Sequence, residues 1–131
     1  MVIDGRAIAQ QILETLKQKK TKKVFAVILV GADPISLYFL KQQKERVAKM
    51  LDVKFKLHRL SGRTSGERLH QKIRELNNDP RVGGVVLQLP LPARFDRDSA
   101  VRLIDERKDV AALNFPGMVL PPAVLVTKKI F

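Results

Sequence analysis

One candidate for chemistry is a glutamine placed where a buried strand is expected to end. Gln88 lies near the end of the apolar run 82–89 and is followed by Pro90 and Pro92. A side-chain amide offers two donors and an acceptor to a flat heterocycle. The alternative is a structural glutamine that only hydrogen-bonds the backbone of its loop, since most buried polar groups are structural. Gln88 is therefore predicted either to bind a ligand or to have a structural role.

The other candidates lie on a helix predicted over residues 35–51, directly after a loop over 31–34. This helix carries the polar or aromatic side chains of Tyr38, Lys41, Gln42, Gln43 and Lys44. A lysine that loses hydration in a crevice has a lowered pKa, toward about 7–8, and then works as an acid or base. The alternative is a solvated lysine on an amphipathic helix, which is the more common case.

Strand and helix patterns alternate along the chain and would position these groups. The continuous apolar runs 24–30 and 82–89 are typical of strands covered on both faces. Residues 53–58 instead alternate apolar and polar side chains, which predicts an edge strand with one solvated face.

The predicted helices have recognisable starts. Asp4 can cap a first helix with apolar positions every four residues, and Ser65 can cap a third helix. The buried side of the third helix is predicted to consist of Leu69, Ile73 and Leu76, and the helix ends at residues 77–80. A short helix begins at Asp98 or Ser99 and runs through Ile104. The tail 120–131 is predicted to be a last helix opened by proline.

This order predicts an α/β fold: a three-layer αβα sandwich with a mainly parallel sheet, in a single domain over residues 1–131. Ligands of such sheets sit beyond the carboxyl ends of the strands. The loops 31–34 and 88–92 are therefore the expected site.

Composition narrows the function classes. The net charge is +12, which attracts anions, and nucleic acid is one polyanion to consider. However, the 7 aromatic residues include no Trp, so few stacking platforms are available and no nucleic acid is expected. The basic run 17–23 is interpreted as a solvated helix end. No cysteine is present, the apolar runs are too short for a membrane, and a cytoplasmic protein is expected.

Metal and dinucleotide sites are not expected from the sequence. His58 and His70 have no second ligand at metal spacing and are interpreted as surface residues. The chain contains no Gly-x-Gly-x-x-Gly segment and no phosphate loop.

Several segments together resemble the bifunctional methylenetetrahydrofolate dehydrogenase/cyclohydrolase family. DGRAIA is similar to its DGKxIA opening, VFAVILVGADPIS to LAvilVGxxPaS, and VGGVVLQLPLP to the specific signature GilVQLPLP. RKDVAALN follows in the place of KDVDGfh, and VLPPAV in the place of PCTPxG. The segments occur in family order over nearly the whole chain.

The resemblance implies two reactions on one folate. Methylenetetrahydrofolate gives a hydride to NADP or NAD, and water then opens methenyltetrahydrofolate to 10-formyltetrahydrofolate. The substrate is thus a tetrahydrofolate derivative, bound between this catalytic domain and an NAD(P)-binding Rossmann domain. That second domain is expected to be absent from this chain, so NADP or NAD would bind only through it. The family is homodimeric, with a monomer as the alternative for a shortened chain.

Carried over residue by residue, the resemblance implies catalytic roles for Lys44 and Gln88. The lysine is the acid/base and the glutamine orients it. Substrate contacts are implied for a wider group: Tyr38, Phe39, Lys41, Leu87, Leu89, Pro90, Asp109 and Pro121. Two positions depart from KDVDG, since Ala111 replaces the second Asp, which grips the pterin, and Ala112 replaces the Gly.

The second helix holds one residue more than the family pattern. Counting forward from Pro34 puts the family lysine at Gln43, whereas counting back from the segment MLDV puts it at Lys44, with Lys41 in reserve. In a regular helix residues five apart, such as Phe39 and Lys44, are about 140° apart. A π-type turn between Tyr38 and Lys44 would restore their alignment. The alternative is a longer loop before a regular helix.

Two other functions stay open at this point. Ala111 and the missing cofactor domain favour a non-catalytic folate-binding or protein-interaction module on the same fold. The charge of +12 alone favours a basic nucleic-acid-binding domain.

Overall fold

The computed structural model describes residues 2–114, Gly117, 120–122 and Leu125. The first helix, α1, spans Gly5–Lys17. The Asp4 side chain accepts hydrogen bonds of 3.1 Å from the backbone N–H groups of Arg6 and Ala7, which confirms the predicted cap. None of the residues of α1 is fully buried, so its apolar stripe lies outside the core.

The sheet has three strands: β1 at Val24–Val30, β2 at Lys54–Leu60 and β3 at Val82–Leu87. Their order is β2-β1-β3, and both pairings are parallel, as predicted. β2 lies at an edge, which confirms the interpretation of its alternating pattern. β3 ends at Leu87, two residues earlier than predicted, so Gln88 stands in the loop beyond it.

The second predicted helix is a composite, called helix two below. It consists of α2 at Pro34–Phe39, a π-helix at Leu40–Glu45 and α3 at Arg46–Met50. The predicted π-type turn is therefore confirmed, and it extends over six residues.

The remaining helices are α4 at Gly66–Asn78 and α5 at Arg97–Arg102. Ser65 caps α4, as predicted, through a 3.1 Å bond from the N–H of Arg68. The predicted start of α5 was wrong: Asp96 is the cap, and it accepts from the N–H of Ser99 at 3.2 Å. The last helix predicted over 120–131 lies mostly outside the described residues.

Two hydrophobic clusters fill the spaces on either side of the sheet. One joins β1 and β3 to α4 and α5, with Leu69, Ile73 and Leu76 of α4 buried as predicted. The other contains Val27, Leu29 and Val86 of the sheet together with Leu40 of helix two. Helices thus cover both faces, and the three-layer αβα architecture is confirmed.

The histidines are not the surface residues that were expected. His58 and His70 are both half-buried, and the Nε2 atom of His58 is fully buried. His58 lies on the face of β2 that turns toward α4. Its burial depends on that helix, and the polar residues beside it on the strand do not indicate it.

Candidate functional site: a lysine between two cavities

Helix two begins at a defined point beyond β1. Gly31 adopts a φ of 90°, a left-handed conformation that glycine reaches without a steric penalty, and this turns the chain at the end of the strand. Asp33 then caps the helix, with its Oδ2 accepting from the N–H of Ser36 at 2.7 Å. Hydrogen bonding from Ser36 lowers the pKa of Asp33. The start of the helix is therefore fixed, and the direction of each later side chain depends on how many residues separate it from that start.

The π-helix brings an aromatic ring and a cation together. The Nζ of Lys44 lies 6.0 Å from the centroid of the Phe39 ring, at the outer limit of a cation–π contact. The two residues are five apart, so a regular helix would turn them away from each other. Asp52, in the segment MLDV at the end of α3, has a φ of 56°, a left-handed conformation that favours glycine. The position of the family lysine was counted back from this segment, and the assignment to Lys44 stays a prediction.

Lys44 lines an apolar cavity of about 390 Å³, called the lysine pocket here. Its walls come from helix two, from Phe25 and Val86 of the sheet, and from Val110 and Ala111. Among the described residues that line it, Lys44 is the only charged one. Burial lowers the pKa of the Lys44 ammonium, in the direction expected for an acid/base lysine.

Gln88 lines a second cavity of about 450 Å³, called the glutamine cleft here. Its backbone N–H donates to the carbonyl of Ile28 at 2.9 Å, which continues the β1–β3 pairing by one residue. Its side-chain Nε2 donates to the carbonyl of Leu89 at 3.1 Å. The cleft is also lined by Leu89 and Pro90, which follow Gln88, and by residues at the start of helix two: Asp33, Ile35, Ser36 and Phe39.

The two catalytic candidates thus lie in separate cavities. Phe39 lines the glutamine cleft and Lys44 the lysine pocket, so the approach of the Lys44 Nζ to the Phe39 ring connects one lining residue of each cavity. The amide of Gln88 bonds to Leu89 rather than to Lys44.

The other predicted substrate contacts are distributed unevenly. Leu89 and Pro90 line the glutamine cleft, whereas Tyr38 is 68% exposed and Lys41 is exposed on the outer side of helix two. Leu87 is only 1% exposed and packs in the core beside α4 and α5. Pro121 is half-buried, and its neighbour Pro122 lines the lysine pocket.

Asp109 is buried and holds a loop in place. Its two carboxylate oxygens accept from the N–H groups of Leu113 and Asn114, at 2.9 and 2.8 Å. The same loop places Ala111 in the wall of the lysine pocket and Ala112 at a φ of 52°. With both oxygens occupied, the geometry assigns Asp109 a structural task, and its contact with substrate stays a prediction.

Sequence reasoning did not identify Ser36 or Phe25 as part of these cavities. Ser36 is 5% exposed and lies in the wall of the glutamine cleft. Its position three residues after Asp33 is the signal that was available, because the cap bond to its backbone N–H places Ser36 in the first turn of the helix. Phe25 sits in an unbroken apolar strand, where nothing in the sequence separates core residues from cavity walls.

Residues 3–111 match the model of a single protein family, whose description is tetrahydrofolate dehydrogenase/cyclohydrolase, catalytic domain. The chain belongs to this family. The match covers all described lining residues of both cavities except Pro122, and the family resemblance of the sequence is confirmed.

Individual relatives agree with the family assignment. The bifunctional protein FolD 1 of Mesorhizobium japonicum is 37% identical over 122 residues. That alignment covers 87% of this chain and 40% of the relative. FolD of Latilactobacillus sakei is 33% identical, with 90% and 47% covered. The chain thus spans less than half the length of these relatives.

Solved structures show the same fold. The bifunctional enzyme FolD, methylenetetrahydrofolate dehydrogenase/cyclohydrolase, of Campylobacter jejuni superposes with a TM-score of 0.87 at 30% identity. It covers 97% of this chain, which in turn matches 51% of it.

Within the described part of the chain, no group of His, Cys, Asp or Glu residues could hold a metal ion. No described helix is long and apolar enough to cross a membrane.

Proposed function

We propose that this chain binds a reduced folate across the lysine pocket and the glutamine cleft and contributes to interconversion of its one-carbon unit. The supporting observation is Lys44, whose burial lowers its pKa and whose ammonium the π-helix holds beside the Phe39 ring. The flat pterin would enter the lysine pocket, and the rest of the folate would extend over Phe39 toward Gln88. Relatives named as bifunctional FolD enzymes support this assignment.

In the hydrolytic step Lys44 would act as a general base. Its neutral amine takes a proton from water while the water oxygen bonds to the methenyl carbon of the folate. The bond from that carbon to N5 then breaks as the added hydroxyl gives up its remaining proton and becomes the formyl C=O. N5 takes the proton held by Lys44, the hydroxyl proton is released to solvent, and the 10-formyl product is left. The lowered pKa of Lys44 increases the fraction of neutral amine available for this proton transfer. The Gln88 amide is placed to hydrogen-bond the substrate rather than to move a proton.

Hydride transfer needs a nicotinamide, and these residues do not fit one. The sequence has no Gly-x-Gly-x-x-Gly segment, and the described residues that line the two cavities include no glycine whose N–H could hold a pyrophosphate. We therefore derive no dehydrogenase step from this chain. The contribution proposed for it is folate binding and proton transfer.

The test is hydrolysis of methenyltetrahydrofolate, followed by the loss of its absorbance. Lys44→Ala should lower kcat by about 10²–10⁴-fold, the usual contribution of an acid/base group. Lys41→Ala is the matched control, since Lys41 is exposed on the same helix, and it should have little effect. Equal losses in the two variants, or an unaffected Lys44→Ala protein, would refute the proposed role of Lys44.

A second candidate is a folate-binding module that does not turn its ligand over, and Ala111 favours it. The described part of the lysine pocket wall carries no carboxylate to accept the N–H groups of a pterin. Ala111→Asp should tighten folate binding, since each charge-assisted hydrogen bond contributes about 1.5–3 kcal/mol. Calorimetry on both proteins separates the candidates. Saturable folate binding without hydrolysis by either protein would favour the module.

A further inference from the structure

The edge strand β2 carries a basic face at the amino end of the sheet. Side chains alternate along a strand, so Lys54, Lys56 and His58 lie on the same face. This face turns toward the layer of α4, whose buried residues pack on β1 and β3. Since β2 lies at the edge, its outer part is left uncovered, and both lysines are exposed.

These side chains line a cavity of about 260 Å³, called the basic cleft here. Lys22, before β1, and Arg81, before β3, complete its walls, because the amino ends of parallel strands meet at one edge. The floor is apolar and consists of Val24, Leu76 and Val82. The basic cleft shares no lining residue with the lysine pocket or the glutamine cleft.

Most of the positive charge of the basic cleft is uncompensated. Its one carboxylate, Asp79, bonds through both oxygens to the Arg81 guanidinium, at 3.0 and 2.9 Å, and so neutralises that residue. Among the described residues, Lys22, Lys54 and Lys56 take part in no ion pair. Three ammonium groups on two segments therefore converge on one small cavity.

His58 adds an unsatisfied group to the same wall. Its buried Nε2 has no hydrogen-bond partner among the described residues. Burial lowers the pKa of His58, and Lys72 of α4 and Lys56 act in the same direction, against Glu75 of α4. The other charged groups at the cavity are Lys22, Lys54, Arg81 and Asp79. An anion bound in the cleft would offset the positive charge around His58 and favour its protonated imidazolium form.

We propose that the basic cleft is a binding site for a phosphate or pyrophosphate group, either free or carried by a small phosphorylated molecule. Lysine ammonium groups bind phosphate as point charges, and the several oxygens of the anion can accept from three of them at once. The apolar floor limits hydration of the bound group, which strengthens each charge contact. The site is independent of the proposed folate site.

The first experiment is a calorimetric titration of the chain with inorganic pyrophosphate at constant ionic strength. Saturable binding of one anion per chain is expected, and Lys54→Ala/Lys56→Ala should weaken it at least tenfold. The matched control is Lys49→Ala/Arg74→Ala, which removes the same charge from exposed positions outside the cleft. The control should stay within about twofold of the parent, since long-range charge is screened. Equal weakening by both variants, or no saturation, would overturn the proposal.

The second experiment follows His58 by NMR with sulfate, which does not titrate between about pH 5 and 8. Bound sulfate should raise the pKa of His58, and by linkage sulfate should bind more tightly as the pH falls. An unmoved His58 pKa at saturating sulfate would contradict the site.

A third experiment distinguishes a small phosphorylated ligand from a nucleic acid. Pyrophosphate should displace a labelled nucleoside diphosphate completely. A single-stranded oligonucleotide that stays bound at saturating pyrophosphate, with a salt slope of several phosphates, would overturn the assignment to a small ligand.

Discussion

Lys44 joins a local conformation to a chemical property. The π-helix turns its side chain into an apolar pocket, and the resulting loss of hydration lowers its pKa. A charged ammonium in such surroundings costs stability, because its water is replaced by aliphatic groups that cannot bind it. The same desolvation that makes the lysine a useful base therefore makes it a weak point of the fold.

The stability of the protein should depend on pH through Lys44. The unfolded chain binds the proton more tightly than the folded one, so stability rises with pH from the lowered pKa up to the ordinary value of 10.5. Lys44→Met should raise the free energy of unfolding at pH 7, and this gain should shrink as the pH approaches 10. Denaturant unfolding at several pH values measures it, with exposed Lys41→Met as control. A gain that grows with pH would contradict the proposed cause.

Ala112 is a residue in a conformation suited to glycine. Its φ of 52° brings Cβ close to the following carbonyl, at a cost of about 1–2 kcal/mol. Ala112→Gly should therefore stabilise the protein by about 0.5–1 kcal/mol after the larger chain entropy of glycine is subtracted. Thermal unfolding provides the measurement. Ala111→Gly, one residue earlier and at negative φ, is the control and should destabilise by a similar amount.

Among the elements, helix two places the residues of the candidate site, and its number of residues decides which side chains lie together. The extra residue between Phe39 and Lys44 is absorbed within the helix, so both the cap at Asp33 and the left-handed turn at Asp52 keep their places. A longer preceding loop would instead have rotated the whole helix and moved Leu40 out of the core, where it is 1% exposed.

Deleting Gln42, whose side chain is exposed, should convert the π-helix into a regular α-helix. Phe39 and Lys44 would then be four residues apart and still share a face. The variant should unfold at a higher temperature, because α-helical hydrogen bonds replace the rarer π geometry. It should also keep the lowered pKa of Lys44, which NMR titration of the amine reports. A pKa restored to the ordinary lysine value would mean that the side chain had left the pocket.

At the scale of the molecule, the charge of +12 acts against compactness. Raising the ionic strength from about 0.01 to 0.15 M shortens the screening length from about 30 to 8 Å. Added sodium chloride should therefore raise the melting temperature. Lys19→Gln/Lys49→Gln, which lowers the charge from +12 to +10, should reduce this dependence. A melting temperature that falls with salt would show that surface ion pairs, and not repulsion, dominate.

The order of the elements and the layers of the fold follow from the sequence alone. Continuous apolar runs indicate strands covered on both faces, and the caps at Asp4 and Ser65 specify helix starts, because both signals depend on near neighbours in the chain. The π-turn was also predictable, since a family spacing with one added residue leaves few ways to keep Phe39 and Lys44 together. The start of α5 was misplaced because Asp96 and Asp98 are equally good caps locally.

Tertiary structure alone decided what each polar side chain meets. Leu87 lies in the core although it precedes Gln88, because alternation along β3 points it toward α4 and α5. Asp109 turned out to bond its own loop, and the Nε2 atom of His58 to be buried beside exposed lysines. Such outcomes depend on residues distant in the chain that come to share a cavity. The spacing of residues along one segment predicts which side chains share a face of that segment. It does not predict which other elements pack against that face.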